Sequence, residues 1–382
     1  ERFRMTNRGR VVTLVFDSFK GSIGATELGS FLCDSLRPEF PGLDIANFPA
    51  SDGGDGFAES VGFHFRAQRV ECAASDPLMR PRAAHYIWSA NDRLAILESA
   101  QANGLALLAG HELDPLRTTT YGVGELLLDA ARRGADRIIV GVGGSATVDG
   151  GAGMAQALGF TFADSAGQLL GPHISEFGGV SEISAPAEHP LTGVRISVAC
   201  DVRTRLLGPR AASAVWIYGP QKGGTEESLS LIERHLTQLD GLVRSGLGSE
   251  YGEMEMGGAA GGLAAGLAVF AGAKLRRGME LFDELTGLRQ QIERSSLVIT
   301  GEGRLDEQSA EGKVVSYVSD LARSSGIPVV AVCGSVGAHA VALGGVLALT
   351  DSGMPAAACI ARPLDALAAA LPRLVETMRG TM

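Results

Sequence analysis

Between Thr300 and Lys313 the chain reads TGEGRLDEQSAEGK, and no other stretch gathers so much charge among glycines. Glu302 and Asp306 are hard oxygen ligands of the kind Mg2+ takes, while Arg304 and Lys313 are donors suited to phosphate or carboxylate oxygens. Both signs within one loop describe a site for an anion bound together with its metal. A solvated polar turn has the same composition, so companions elsewhere must decide. Asp17-Ser18-Phe19-Lys20-Gly21-Ser22 sets a lysine beside a carboxylate and two hydroxyls. In Ser51-Asp52-Gly53-Gly54-Asp55-Gly56 two glycines separate two aspartates, an arrangement that can turn N–H groups and carboxylates toward one ligand. The spacing of a calcium loop, D-x-D-x-D-G, is absent there.

The strongest local signal is Gly143 to Gly153, GGSATVDGGAG, between an apolar run and a helical pattern. Gly143, Gly144 and Ser145 would let backbone N–H groups approach a phosphate, and the helix N-terminus would add partial positive charge. The sequence is neither the P-loop nor the dinucleotide fingerprint. Asp201, after the run VRISVAC, is a candidate metal ligand or general base, and Lys222 in the turn GPQKG is a candidate anion ligand. Either also fits an ordinary loop charge.

Elements must position these side chains, and the pattern names them. VVTLVF (11–16), RIIVGV (137–142), VRISVAC (194–200) and the runs at 297–299 and 327–333 are the continuous apolar segments of parallel strands buried on both faces. Nearly every charged or glycine-rich loop follows such a strand, at the sheet edge where open α/β folds bind ligands. Residues 25–36 predict a helix with Leu28, Phe31, Leu32 and Leu36 on one face. Further helices are predicted over 226–244, 314–323 and 364–378, and a hairpin turns at Ala90-Asn91-Asp92. Thr118 to Thr120 read as helix caps before they read as ligand donors. The glycine- and alanine-rich segment 257–272 predicts a helix packed at close backbone approach. Similar strands at both chain ends predict an α/β protein of two domains, 1–76 with 285–382 as one discontinuous domain and 77–284 inserted into it.

Composition excludes several classes. With a formal net charge of −10 and no long basic run, the chain is not built to neutralise a nucleic-acid backbone. Its most apolar stretch, 261–273, falls well short of the roughly 20 residues of a membrane span. Five cysteines lie far apart without a C-x-x-C pair, so no zinc site is expected and a reducing compartment is. Residues 1–10 lack the apolar core of a secretory signal, and a cytoplasmic enzyme is the expectation.

Taken together, DSFKGS (17–22), SDGGDG (51–56), TTTYGVGE (118–125), GGSATVDGGAGMAQALG (143–159), ACDV (199–202), GPQKG (219–223), GAAGGL (258–263) and TGEGRLDEQSAEGK (300–313) resemble the glycerate kinases of the bacterial class I type. The resemblance spans nearly the whole chain in order. It implies ATP- and Mg2+-dependent phosphorylation of D-glycerate, in most members at the 2-hydroxyl. It also implies two α/β domains, one Rossmann- or flavodoxin-like and made from both chain ends, with the active site between them. A homodimer is the assembly considered. Asp201, Asp149, Asp306 and Asp52 are then the expected Mg2+ ligands or base. Lys20, Lys222, Arg304 and Lys313 are expected on the substrate carboxylate and ATP phosphates, with Gly143, Gly144, Ser145, Gly301 and Glu302 around the nucleotide. Three places depart from the family pattern. Val148 replaces the usual Asn, Arg203-Thr204-Arg205 replaces Asp-Asn-Pro, and Asp55-Gly56-Phe57 replaces Glu-Gly-Thr. The alternatives are a kinase for a related hydroxy acid or sugar acid, for which the two arginines favour a more acidic substrate, and a regulator that binds nucleotide without turnover.

Overall fold

A computed structural model describes residues 10–305, 313–337 and 345–382. The chain begins with β1 (Val11–Phe16), α1 (Ala25–Leu36), β2 (Asp44–Asn47) and α2 (Phe57–His64), and then builds a second unit before it returns. That unit contains β3 (Gln68–Ser75), β4 (Pro81–Ser89), β5 (Leu94–Glu98), α3 (Ala100–Asn103), α4 (Tyr121–Arg132), β6 (Arg137–Gly141) and α5 (Ala152–Ala157). It continues through β7 (Thr161–Asp164), β8 (Val180–Ser184), β9 (Arg195–Ala199), α6 (Ala214–Tyr218), α7 (Glu226–Leu247), α8 (Leu263–Phe270) and β10 (Lys274–Arg276). The return runs through α9 (Gly278–Thr286), α10 (Leu288–Glu293), β11 (Leu297–Gly301), β12 (Arg304–Leu305), α11 (Val314–Ser324) and β13 (Val329–Cys333). It ends with β14 (Ser335–Val336), β15 (Val346–Ala348), α12 (Ala356–Ala361) and α13 (Pro363–Thr381).

The first unit comprises the residues up to His64 and from Met279 onward. Its sheet has the order β15-β13-β11-β1-β2, every pair parallel. Counted within the unit this is 2-1-3-4-5, the flavodoxin-like doubly wound order, whose direction reverses between β1 and β11. Leu28, Leu32 and Leu36 of α1 and Leu367, Leu374 and Met378 of α13 repeat at helical spacing and are buried with the strand residues Val12, Leu14, Ile299 and Val330.

The second unit is Phe65–Gly278. Its sheet runs β10-β9-β6-β5-β4-β3, parallel from β10 to β5 and antiparallel from β5 to β3. Leu126 and Leu127 of α4 and Ile232, Leu236 and Leu239 of α7 belong to its core. Together the units give the α/β class that the sequence predicts. The boundary drawn at residue 76 kept 68–75 with the N-terminal strands, but those residues form β3 and pair along their whole length with β4. Most of β3 is exposed or half-buried, so its sequence carries no apolar run to announce it.

Among the described residues no helix is long and apolar enough to cross a membrane, and all five cysteines are free thiols.

Candidate functional site

In the first unit β1 and β11 end in register, Phe16 opposite Gly301, and the Asp17 N–H donates to the Gly301 carbonyl at 3.1 Å. Gly301 has a packing reason of its own, since a Cβ there would collide with the carbonyl oxygen of Val332 on β13. The loops after β1 and β11 therefore leave the sheet side by side at the point where strand order reverses. They open on a cavity of about 520 Å3. Asp17, Asp52 and Glu302 line it together with Lys20, Arg304 and Lys313, and an apolar wall is formed by Phe19, Leu349 and α12.

Asp17 is the buried member, and its Oδ1 accepts the Ser18 N–H at 2.7 Å. Burial pushes its carboxyl up to about 8, and the nearby Asp52 and, more weakly, Glu302 act in the same direction. The Ser18 N–H and Lys20 oppose the shift. Asp52 is half-buried, and its Oδ1 accepts the Gly54 N–H at 3.1 Å, which fixes the turn of the SDGGDG loop. Ser18 Oγ ties the two loops together through the Asp55 carbonyl at 3.3 Å.

Of the residues singled out in the sequence, Lys20, Asp52, Glu302, Arg304 and Lys313 line this one cavity, with Gly301 at the strand end beside it. Asp306 lies outside the described residues. Asp17 enters the sequence reading only as the carboxylate of the DSFKGS loop and is not among the ligands expected from it. Its position directly after an apolar strand was visible, but its neighbours come from residues 52 and 302.

No group of three or more His, Cys, Asp or Glu side chains among the described residues is set to hold a metal ion by itself. Mg2+ does not need one, because it keeps several waters and binds through one or two carboxylates plus substrate phosphates. A buried aspartate crowded by a second carboxylate at the cavity wall is a donor set of that kind.

In the second unit the glycine-rich loop turns its polar side chains inward. Asp149 is fully buried; its Oδ2 accepts from the Thr120 N–H and hydroxyl, both at 2.8 Å, and from the Gly153 N–H at 3.3 Å. Its Oδ1 accepts the Gly151 N–H at 3.1 Å. Burial raises the Asp149 carboxyl, but four donors and no acceptor around it are the surroundings of an ionised carboxylate. The Met154 N–H goes to Thr120 Oγ1 at 2.9 Å. The first N–H groups of α5, a helix of six residues, are thus answered from within the chain.

Lys222 is buried beside this loop, and its Nζ donates to Ser145 Oγ and the Thr147 carbonyl, each at 2.8 Å. Burial pushes its amine down to about 7, against the attraction of Asp149. Gly144 is exposed and Gly143 half-exposed at the tip, whereas Ser145 is buried. Val148 is buried in the core.

The close approach predicted for 257–272 is present, since a Cβ on Gly261 would collide with the Thr147 carbonyl oxygen, but the predicted helix is confined to α8, because Ala260 and Gly261 before it take left-handed backbone to make that approach. Among the threonines, Thr119 acts locally, accepting the Tyr121 N–H at 3.2 Å, while Thr118 and Thr120 hold the glycine loop instead. Asp201 is exposed after β9, and its Oδ1 accepts the Gly278 N–H at 2.9 Å. Arg203 and Arg205 follow it and are exposed.

Comparison with known proteins finds matches over most of the chain. The profile described as "Glycerate kinase family" covers residues 12–379. The glycerate kinase of Bacillus subtilis (strain 168) is 37% identical over 321 residues, 84% of each chain. The glycerate 2-kinase of Escherichia coli (strain K12) is 36% identical over 326 residues, 85% of each chain. A crystal structure assigned as glycerate kinase 2 from Salmonella typhimurium LT2 superposes with a TM-score of 0.82 at 35% identity, covering 89% of this chain and 90% of that one. On the extent of these matches and the identity of the relatives, the chain belongs to the glycerate kinase family.

Proposed function

We propose that the protein transfers the γ-phosphoryl group of ATP to the 2-hydroxyl of D-glycerate, giving ADP and 2-phosphoglycerate. The observation that carries this reading is the charged wall at the strand-order reversal of the first unit, where Lys20, Arg304 and Lys313 share a cavity with Asp17, Asp52 and Glu302. Phosphoryl transfer asks for such a set, because its catalysis is mostly positioning and charge stabilisation. The three cations bind and orient phosphate or carboxylate oxygens. Asp17 and Asp52 would hold Mg2+, which when bound neutralises charge on the phosphate oxygens. Asp201, exposed at the end of β9, is the candidate acceptor for the hydroxyl proton. Asp149 and Lys222, both satisfied inside the fold, act as positioning residues for the glycine loop. The position of transfer is supported by the glycerate 2-kinase relative. The cytoplasm is the inferred compartment, supported by the five free thiols.

The test is ADP release from Mg-ATP with D-glycerate, followed by NMR identification of the product. Turnover that depends on D-glycerate and yields 2-phosphoglycerate is expected. Tight ATP binding without turnover on any hydroxy acid would replace the enzyme reading with a nucleotide-binding regulator. A second reading, a more acidic hydroxy acid as acceptor, is favoured by the exposed pair Arg203 and Arg205 after Asp201. A kcat/KM higher for a dicarboxylic hydroxy acid than for D-glycerate would select it.

A further inference from the structure

The first unit's cavity has a wall that a three-carbon acid does not need. D-Glycerate is small and polar over its whole surface, and the charged side alone would satisfy it. Opposite that side α12 presents Ala356 and Ile360, four residues apart on one face, with Cys359 and Leu349 beneath them. Ile360 is 55% exposed and Ala356 is exposed as well, so apolar surface is left facing the cavity. The loop carrying Lys20 is fastened to this helix, because Ser22 Oγ donates to the Ile360 carbonyl at 2.8 Å. Cationic groups and apolar face are therefore held in one frame. At about 520 Å3 the cavity lies within the common range for small-molecule sites, roughly 300–1,000 Å3.

We infer that this cavity takes the nucleotide rather than the hydroxy acid, with the base against Ala356 and Ile360 and the phosphates toward Lys20, Arg304 and Lys313. This rests on the phosphotransfer reading above. Of the two ligands in that reaction only the nucleotide has an apolar, planar part joined to a polyanion, and the cavity has the matching halves. Ile360 is then a specificity-determining residue for the nucleotide.

The experiment measures binding of ADP and of D-glycerate separately by calorimetry on the full chain, for the wild type, Ile360→Glu and Ala356→Phe, with thermal unfolding as the check on folding. Both positions are exposed, so the variants are expected to unfold near the wild-type temperature. The expected result is an ADP Kd raised at least fivefold in Ile360→Glu, with the D-glycerate Kd within twofold of wild type. In steady state the KM for ATP should rise while that for D-glycerate stays. Unchanged ADP affinity in both variants, or a loss confined to D-glycerate, overturns the inference while wild-type turnover keeps the kinase reading. Loss of ADP affinity in a protein that never phosphorylates D-glycerate supports the nucleotide site and removes the transfer reaction. A wild type that binds no ADP removes both.

Discussion

Asp17 and Lys222 are the two buried charges with most at stake, and they point to different experiments. Asp17 sits beside Asp52 at a cavity wall, so its ionised form is strained by burial and by a like charge. Asp17→Asn should relieve that cost and stabilise the Mg2+-free protein by roughly 1–3 kcal/mol. The same change should lower kcat by about 100-fold or more through lost charge stabilisation. Urea midpoints and initial rates on one preparation check both, and a variant that is less stable than wild type would contradict the crowding argument. For Lys222 the folded value of about 7 lies below the ordinary 10.5, so between those limits the folded chain holds fewer protons than the unfolded one. Stability therefore rises with pH across that window. Relative to Lys222→Met, which does not titrate, the wild type should gain on the order of 1–3 kcal/mol between pH 7 and 9.5. A flat difference in urea midpoints would mean that the amine stays charged, paired with Asp149.

The glycine loop between β6 and α5 gives the clearest case of an element whose pattern was legible and whose partner was not. Strand, glycines and helix were readable from RIIVGV and GGSATVDGGAG, and a phosphate cradle was the expectation. In the structure the N–H groups that open α5 are taken by Asp149 and Thr120. A carboxyl group does sit at that turn, and it belongs to the chain. Spacing alone could not reveal this, because Thr120 lies 29 residues before Asp149 and only the packing of α4 on α5 brings them together. The buried strands were legible for the opposite reason: β1, β6, β11 and β13 are mostly apolar and announce themselves locally. Backbone contact between this loop and the segment before α8 makes a specific prediction. Gly261 has φ +66° and no room for a Cβ, so Gly261→Ala should cost about 3 kcal/mol or more, combining left-handed strain with a clash. Gly167, at φ +80° with open space around it, isolates the first contribution, and Gly167→Ala should cost only about 1 kcal/mol. Equal losses of melting temperature in the two variants would refute the clash.

At the scale of the molecule, the second unit is one continuous piece of chain with its own sheet and its own core. Residues 65–278 expressed alone should therefore fold, giving a single cooperative urea transition and a near-UV circular dichroism spectrum with fixed aromatic signals. A fragment with helical content but no sharp transition would mean that the core needs the rest of the chain. The first unit is different in kind. The centre of its sheet is the pair β1 and β11, which the register aligns from Val12 with Leu297 to Phe16 with Gly301. About 280 residues separate these strands, so at a synthesis rate of roughly 5–20 residues per second β1 waits about 15–60 seconds on the ribosome for its central partner. During that interval VVTLVF, the most apolar strand edge near the N-terminus, has only β2 beside it, while all of the second unit has been made. Folding in this protein is completed from the middle of the chain outward, and the loops that carry Lys20 and Arg304 meet only after β11 has been made.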